Sequence, residues 1–160
     1  MISDQAREDL LGYLCQWYAR HGEAHSLAAA EQLGREVASI AGQAVAQAGV
    51  NDSIAGSERS GSIECACGAQ GRMVDRRERV LLSDCGELRA QRRYYHCRAC
   101  RSGWAPWDRQ QGLSQRQYTP WVKAMVSELA AHMSYAETVD MLGRLLGLEL
   151  EESSAEQIVA

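Results

Sequence analysis

Apolar residues recur at helical spacing near both ends of this chain and at strand spacing in its middle. From Asp4 to about Tyr18, Ala6, Leu10, Leu11, Leu14, Trp17 and Tyr18 return every three or four positions, the period of an amphipathic helix. Ser3 is placed to cap its start and His21-Gly22 to stop it. A second stripe (Leu27, Ala30, Leu33, Val37, Ile40, Ala41, Ala44, Val45, Ala48) predicts a helix from Ser26 to about Ala48. Gly34 and Gly42 each weaken it by ~1 kcal/mol relative to alanine, while its small residues let another helix approach closely. Residues 1–50 are therefore expected to form a helical hairpin, with a homodimer through these helices as one use of it. Residues 51–62, rich in Gly and Ser, read as a flexible linker.

The period changes after the linker. Arg72 to Leu82 sets Val74, Val80 and Leu82 on one face and Met73 and Leu81 on the other. Ser83-Asp84-Cys85-Gly86 supplies a turn, and Glu87 to His96 returns, ending in the β-favouring Tyr94-Tyr95. Helical spacing resumes further on. Thr119-Pro120 opens a helix carrying Val122, Met125, Val126, Leu129 and Ala130. Ser134 and Glu137 form a capping-box pattern before Val139, Leu142, Leu145 and Leu146, and Gly147 ends that helix. Ser153 or Ser154 caps a last segment from Ala155. The expected fold is α+β and mainly helical: a helical hairpin, a central zinc-ribbon β-hairpin over 63–108, and helix-turn-helix-like helices over 118–160.

The zinc ribbon rests on cysteine spacing. Cys65 and Cys67 precede the strand pair and Cys97 and Cys100 follow it, so an antiparallel return brings the pairs together. Four thiolates around Zn²⁺ close a tetrahedron with no open position, which makes the site structural. A redox dithiol at Cys97 and Cys100 is the competing chemistry; two pairs flanking one hairpin favour metal. Cys85 falls in the turn and reads as a bystander thiol, and Cys15 as a small core residue. An isolated hairpin is marginal in water, so the ion would supply much of its folding free energy.

Charge sharpens the picture. The net charge of -4 divides into -5 over residues 1–70, +5 over residues 71–101 and -4 over the remainder. The middle segment holds nine arginines against four acids. Its edge arginines serve solubility on a bland reading, but their density points to phosphate contact with double-stranded DNA. Arg72, Arg76, Arg77, Arg89, Arg92 and Arg93 are the candidates. Tyr94, Tyr95, Trp104 and Trp107 are better explained by packing than by base stacking. Lys123 and Arg144 are few for a groove-reading helix, so a packing or dimerising role for the last helices stands beside DNA contact. No nucleophile, base and orienting acid occur together, so no enzyme is expected. Neither a signal peptide nor a ~20-residue apolar span is present, which points to the cytoplasm, near the nucleoid, and to no membrane partner.

An ordered set of motifs carries a resemblance. Cys65-Ala66-Cys67-Gly68, the arginine-rich strand, Gly86-Glu87-Leu88 and Arg92-Arg93-Tyr94-Tyr95-His96-Cys97-Arg98-Ala99-Cys100 lead into Gly103-Trp104-Ala105-Pro106-Trp107-Asp108. Gly112-Leu113, Thr119-Pro120 and Ser134-Tyr135-Ala136-Glu137 follow. Over about residues 63–150 this resembles the amino-terminal region of insertion-sequence transposases of the Kra group. The resemblance implies DNA-binding modules that recognise transposon ends. The family's longer catalytic domain, with its acidic metal ligands, is not expected within these 160 residues. The chain departs from the family pattern at Cys85, where an apolar residue is usual, and at Trp104 and Trp107.

Overall fold

Strand periodicity in the middle of the chain is realised as a long antiparallel hairpin. In this computed structural model, which describes residues 3–57, 61–113 and 117–160, β2 (Gln70–Ser83) pairs with β3 (Gly86–His96). Short strands β1 (Ile63–Glu64) and β4 (Gly103–Trp104) flank the pair, giving a four-stranded antiparallel sheet in the order β1-β2-β3-β4. Arg77 faces Arg92, Arg79 faces Ala90 and Leu81 faces Leu88, and direct partners share a face. Arg76 with Arg93, and Val80 with Arg89, therefore lie on the other. A bulge at Val74 moves the register between Met73 and Asp75 and raises the local twist.

The chain divides into two units, Met1–Ala38 and Ser39–Ala160. In the first, α1 (Asp4–His21) is capped by Ser3, whose Oγ accepts from the Ala6 amide, and ends at Gly22. None of its residues is buried. Leu10 is 46%, Leu11 52% and Tyr13 64% exposed, so the hydrophobic closure expected of a helical hairpin is not made. Cys15, expected in a core, is exposed as well.

Helix α2 (Leu27–Ser57) runs nine residues past its predicted end, through the segment read as a linker. Tertiary contact overrides the weak local propensity of Gly49 and Gly56. Ile54 is buried with Leu81, Leu88, Ala90 and Trp107, and Ala46, Val50 and Leu113 pack around them. The Gln47 side chain also replaces a missing strand: its Nε2 donates to the Arg89 carbonyl and its Oε1 accepts from the Arg89 amide, both at 2.8 Å. That amide pairing blunts the open edge of β3. Of the expected linker, residues 58–60 lie outside the described residues.

On the β2 edge, the Leu82 amide donates to the Gln117 carbonyl, and the Thr119 amide to the Leu82 carbonyl. This leads into α4 (Pro120–Ala130), α5 (Tyr135–Leu146) and α6 (Glu152–Val159); α3 (Pro106–Gln110) lies earlier, after β4. Thr119 caps α4, and the Ser134–Glu137 box caps α5 as its pattern predicts. Helix α6 begins before Ser153, at Glu152, with Glu151 at its cap and no side-chain bond there. The helices α4, α5 and α6 close on Val122, Val126, Leu142, Leu148 and Ala155. No helix among the described residues is long and apolar enough to cross a membrane.

Candidate metal centre and the arginine sheet

Two chain reversals of the same design bring the four cysteines together. The first lies between β1 and β2. There the Cys65 amide donates to the Ala69 carbonyl and Gly68 takes φ of 83°. The second lies between β3 and β4. There the Cys97 amide donates to the Ser102 carbonyl and Arg101 takes φ of 59°. In each, the residue after the second cysteine is left-handed and turns the next amide onto that cysteine's sulfur: Ala69 onto Cys67, Ser102 onto Cys100. Arg101 does this without glycine, at a cost of about 1–2 kcal/mol. A strained residue held by its surroundings points to a constrained site.

The four Sγ atoms lie within 4.8 Å of one another, those of Cys65 and Cys97 on buried residues and those of Cys67 and Cys100 on exposed ones. Cys65 and Cys100 are 3.6 Å apart and Cys67 and Cys97 are 3.7 Å apart. A disulfide needs about 2.05 Å. Sulfurs about 2.3 Å from a common tetrahedral ion are separated by about 3.8 Å. The donor set and spacing are thus compatible with a metal site. Cys85 stands apart from it, against α2, where a Cβ on Gly42 would come within 3.0 Å of its sulfur; burial pushes this thiol up. Cys85 therefore contributes packing, which a small thiol permits.

Local donors favour the thiolate at Cys65 and Cys100. The Ser102 hydroxyl, with the Ser102 amide, holds Cys100 down to about 6. The Cys67 amide, followed by the same hydroxyl, lowers Cys65. The Ala69 amide favours the Cys67 thiolate, but the neighbouring sulfurs together outweigh it and push this thiol up to about 11. A bound cation reverses that repulsion. Ser102, whose Oγ is 3.0 Å from Cys100 and 3.5 Å from Cys65, carries no metal-ligand signature in sequence and becomes visible only in three dimensions.

Beneath the sulfurs, Tyr95 and Trp104 are buried with their ring centroids 6.2 Å apart. Gly71 makes room for Trp104, since a Cβ there would collide with the indole. Trp107 is buried against α2, its Nε1 donating to Ser53 at 3.0 Å. These three aromatic residues pack, as expected.

The arginines separate by environment. Arg72, Arg76, Arg77 and Arg89 are exposed and Arg93 is half-buried. Arg89 meets Glu78 at 3.1 Å. Arg92, nominated with them for phosphate, is buried and committed elsewhere. Its Nε and Nη2 donate to the two oxygens of Asp108, and its Nη1 to the Arg77 carbonyl at 2.6 Å. Arg79 reaches the same carboxylate at 2.9 Å. Burial pushes the Asp108 carboxyl up, and the hydrogen bonds and charges of Arg92 and Arg79 more than reverse this. Sequence spacing gave no hint of this partner, 16 residues from Arg92. Arg98 and Arg101, both exposed, sit on the second cysteine reversal and add cations at the sulfur end. No protein family matches this chain, and neither a curated protein nor a solved structure shows significant similarity to it.

Proposed function

We propose that this chain is a zinc-ribbon DNA-binding module, similar in role to the end-recognition region of a transposase, with no nuclease activity of its own. One observation carries the reading: Arg98 and Arg101 occupy the cysteine reversal itself, at the end of the sheet that also holds Arg72 opposite His96. Zinc at Cys65, Cys67, Cys97 and Cys100 would fix that end, so the arginines meet phosphates without first ordering the backbone. Arg76, Arg89 and Arg93 extend the surface along one face of the strands, and Arg77 stands on the other. Arg92 supports it from inside. Lys123 and Arg144 are the lysine and arginine of residues 117–160, so α4 to α6 serve packing better than groove contact, even if their arrangement is helix-turn-helix-like. The compartment that suits this role is the cytoplasm.

The test is metal analysis of the purified protein followed by selection of bound duplexes from a random pool. One zinc ion per chain and recovery of duplex DNA are expected. Zinc-loaded protein that retains no duplex at low ionic strength would refute the reading.

A second reading is favoured by the apolar surface left on the helices. Leu10, Leu11 and Tyr13 of α1 are exposed, and Trp121, Leu145 and Leu146 border an apolar groove between α4 and α5. An interaction adaptor that assembles through its amino-terminal helices would use such faces. Arg98→Glu with Arg101→Glu separates the two: loss of DNA binding with assembly intact favours the first reading, loss of partner binding alone the second.

A further inference from the structure

Arg77 is an exposed arginine held from several sides. Its guanidinium carbon lies 3.6 Å from the centre of the Tyr94 ring, within stacking distance. Its Nε donates to both oxygens of Asp75, at 3.1 and 3.3 Å. Its own carbonyl accepts from Arg92, which Asp108 holds in turn. Backbone, guanidinium face and guanidinium edge are therefore each fixed by a different partner. The side chain nevertheless remains 49% exposed.

The sequence builds this arrangement locally. The bulge at Val74 sets Asp75 opposite Tyr94, two residues before Arg77. Tyr94 in turn lies across Gly103, where any Cβ would collide with the phenol hydroxyl. Gly103 opens β4, directly after the second cysteine reversal. The platform under Arg77 is thus tied to the candidate metal centre through Gly103.

A contact that only neutralises phosphate needs charge and tolerates a mobile side chain, and lysine serves it as well. An arginine stripped of rotamer freedom has already lost the entropy that base recognition demands. With Nε taken by Asp75, the two Nη groups remain as a parallel pair of donors. That pair matches the O6 and N7 acceptors of guanine in the major groove. We propose that Arg77 is the base-reading residue of this protein and that its ligand is a guanine edge in duplex DNA. This rests on the DNA-binding reading above.

The experiment uses the zinc-loaded full chain and two duplexes: one recovered by selection from a random pool, and a scrambled duplex of equal length. Arg77→Lys is expected to lose about tenfold or more on the recovered duplex and to stay within about twofold on the scrambled one. Replacing the contacted guanine by 7-deazaguanine weakens wild type and leaves Arg77→Ala unaffected. Asp75→Ala, which removes both acceptors of Nε, weakens only the recovered duplex. Equal losses on both duplexes would make Arg77 a phosphate contact and overturn the proposal, as would unchanged binding to both. Wild type that binds duplexes without preference also overturns it, while leaving the DNA-binding reading intact. Wild type that binds no duplex removes both.

Discussion

Arg92 and Asp108 form a two-pronged ion pair, Nε to Oδ1 at 2.8 Å and Nη2 to Oδ2 at 2.9 Å, that ties α3 to the sheet. Both side chains are largely shielded, at 11% and 15% exposure, and Arg79 shares the carboxylate. Removing one member of a shielded pair leaves an uncompensated charge, so Asp108→Asn is expected to destabilise the protein by about 2–4 kcal/mol. Urea unfolding at neutral pH measures it. The same pair sets a pH dependence. The Asp108 carboxyl lies below its ordinary 3.8, so it binds protons more weakly folded than unfolded. Its contribution is present above the unfolded value and is lost as pH falls through the folded one. The stability difference between wild type and Asp108→Asn is therefore largest at neutral pH and shrinks below about pH 4. A difference that grows on acidification would contradict the pairing.

The sulfur quartet predicts a stoichiometry. Wild-type protein, Cys15→Ser and Cys85→Ser are expected to hold one ion per chain, whereas Cys97→Ser, which removes a buried ligand, loses it. Chelation is expected to melt the sheet around Tyr95 and Trp104, read as a change in tryptophan fluorescence. Bound ion in Cys97→Ser at wild-type affinity would argue against closure by four sulfurs.

Gly103→Ala is expected to displace Tyr94, since the added Cβ would collide with the phenol oxygen. A cost of about 2 kcal/mol follows from overpacking. The neighbouring arginine reports it too: the Arg77–Tyr94 contact is lost, visible as altered tyrosine ring shifts by NMR. An unperturbed Tyr94 would show that the close approach is not needed.

Arg101 takes the left-handed conformation that Gly68 takes in the first reversal. Arg101→Gly relieves about 1–2 kcal/mol of strain and gives back part of it as unfolded-chain entropy, for a net gain of about 0.5–1 kcal/mol. Metal-loaded thermal unfolding measures the gain, and a loss would mean that the arginine side chain contributes more than its backbone costs.

Much of this fold is legible in the sequence. Ser3, Thr119, the Ser134–Glu137 box and Gly147 mark helix ends through side-chain and backbone chemistry that acts over three or four residues. The hairpin was legible because strand alternation and the Ser83–Gly86 turn agree. The four cysteines were legible because hairpin closure dictates which pairs meet. What was hidden depends on distant partners. The continuation of α2 to Ser57 rests on Ile54 meeting the sheet and on Gln47 pairing with Arg89. Arg92 looked like its neighbours because composition cannot tell which strand face is covered. The amino-terminal stripe predicted a buried face for α1, and none of its residues is buried.

The central claim is that a metal-held sheet end presents arginines to duplex DNA. It is tested most directly by the salt dependence of duplex binding by the metal-loaded chain, followed by fluorescence anisotropy. About four phosphate contacts from Arg72, Arg76, Arg98 and Arg101 predict a log–log slope of about -3.6. Arg98→Gln with Arg101→Gln is expected to make that slope shallower by nearly two. No binding at about 50 mM salt, or a slope indifferent to these two arginines, would contradict the account.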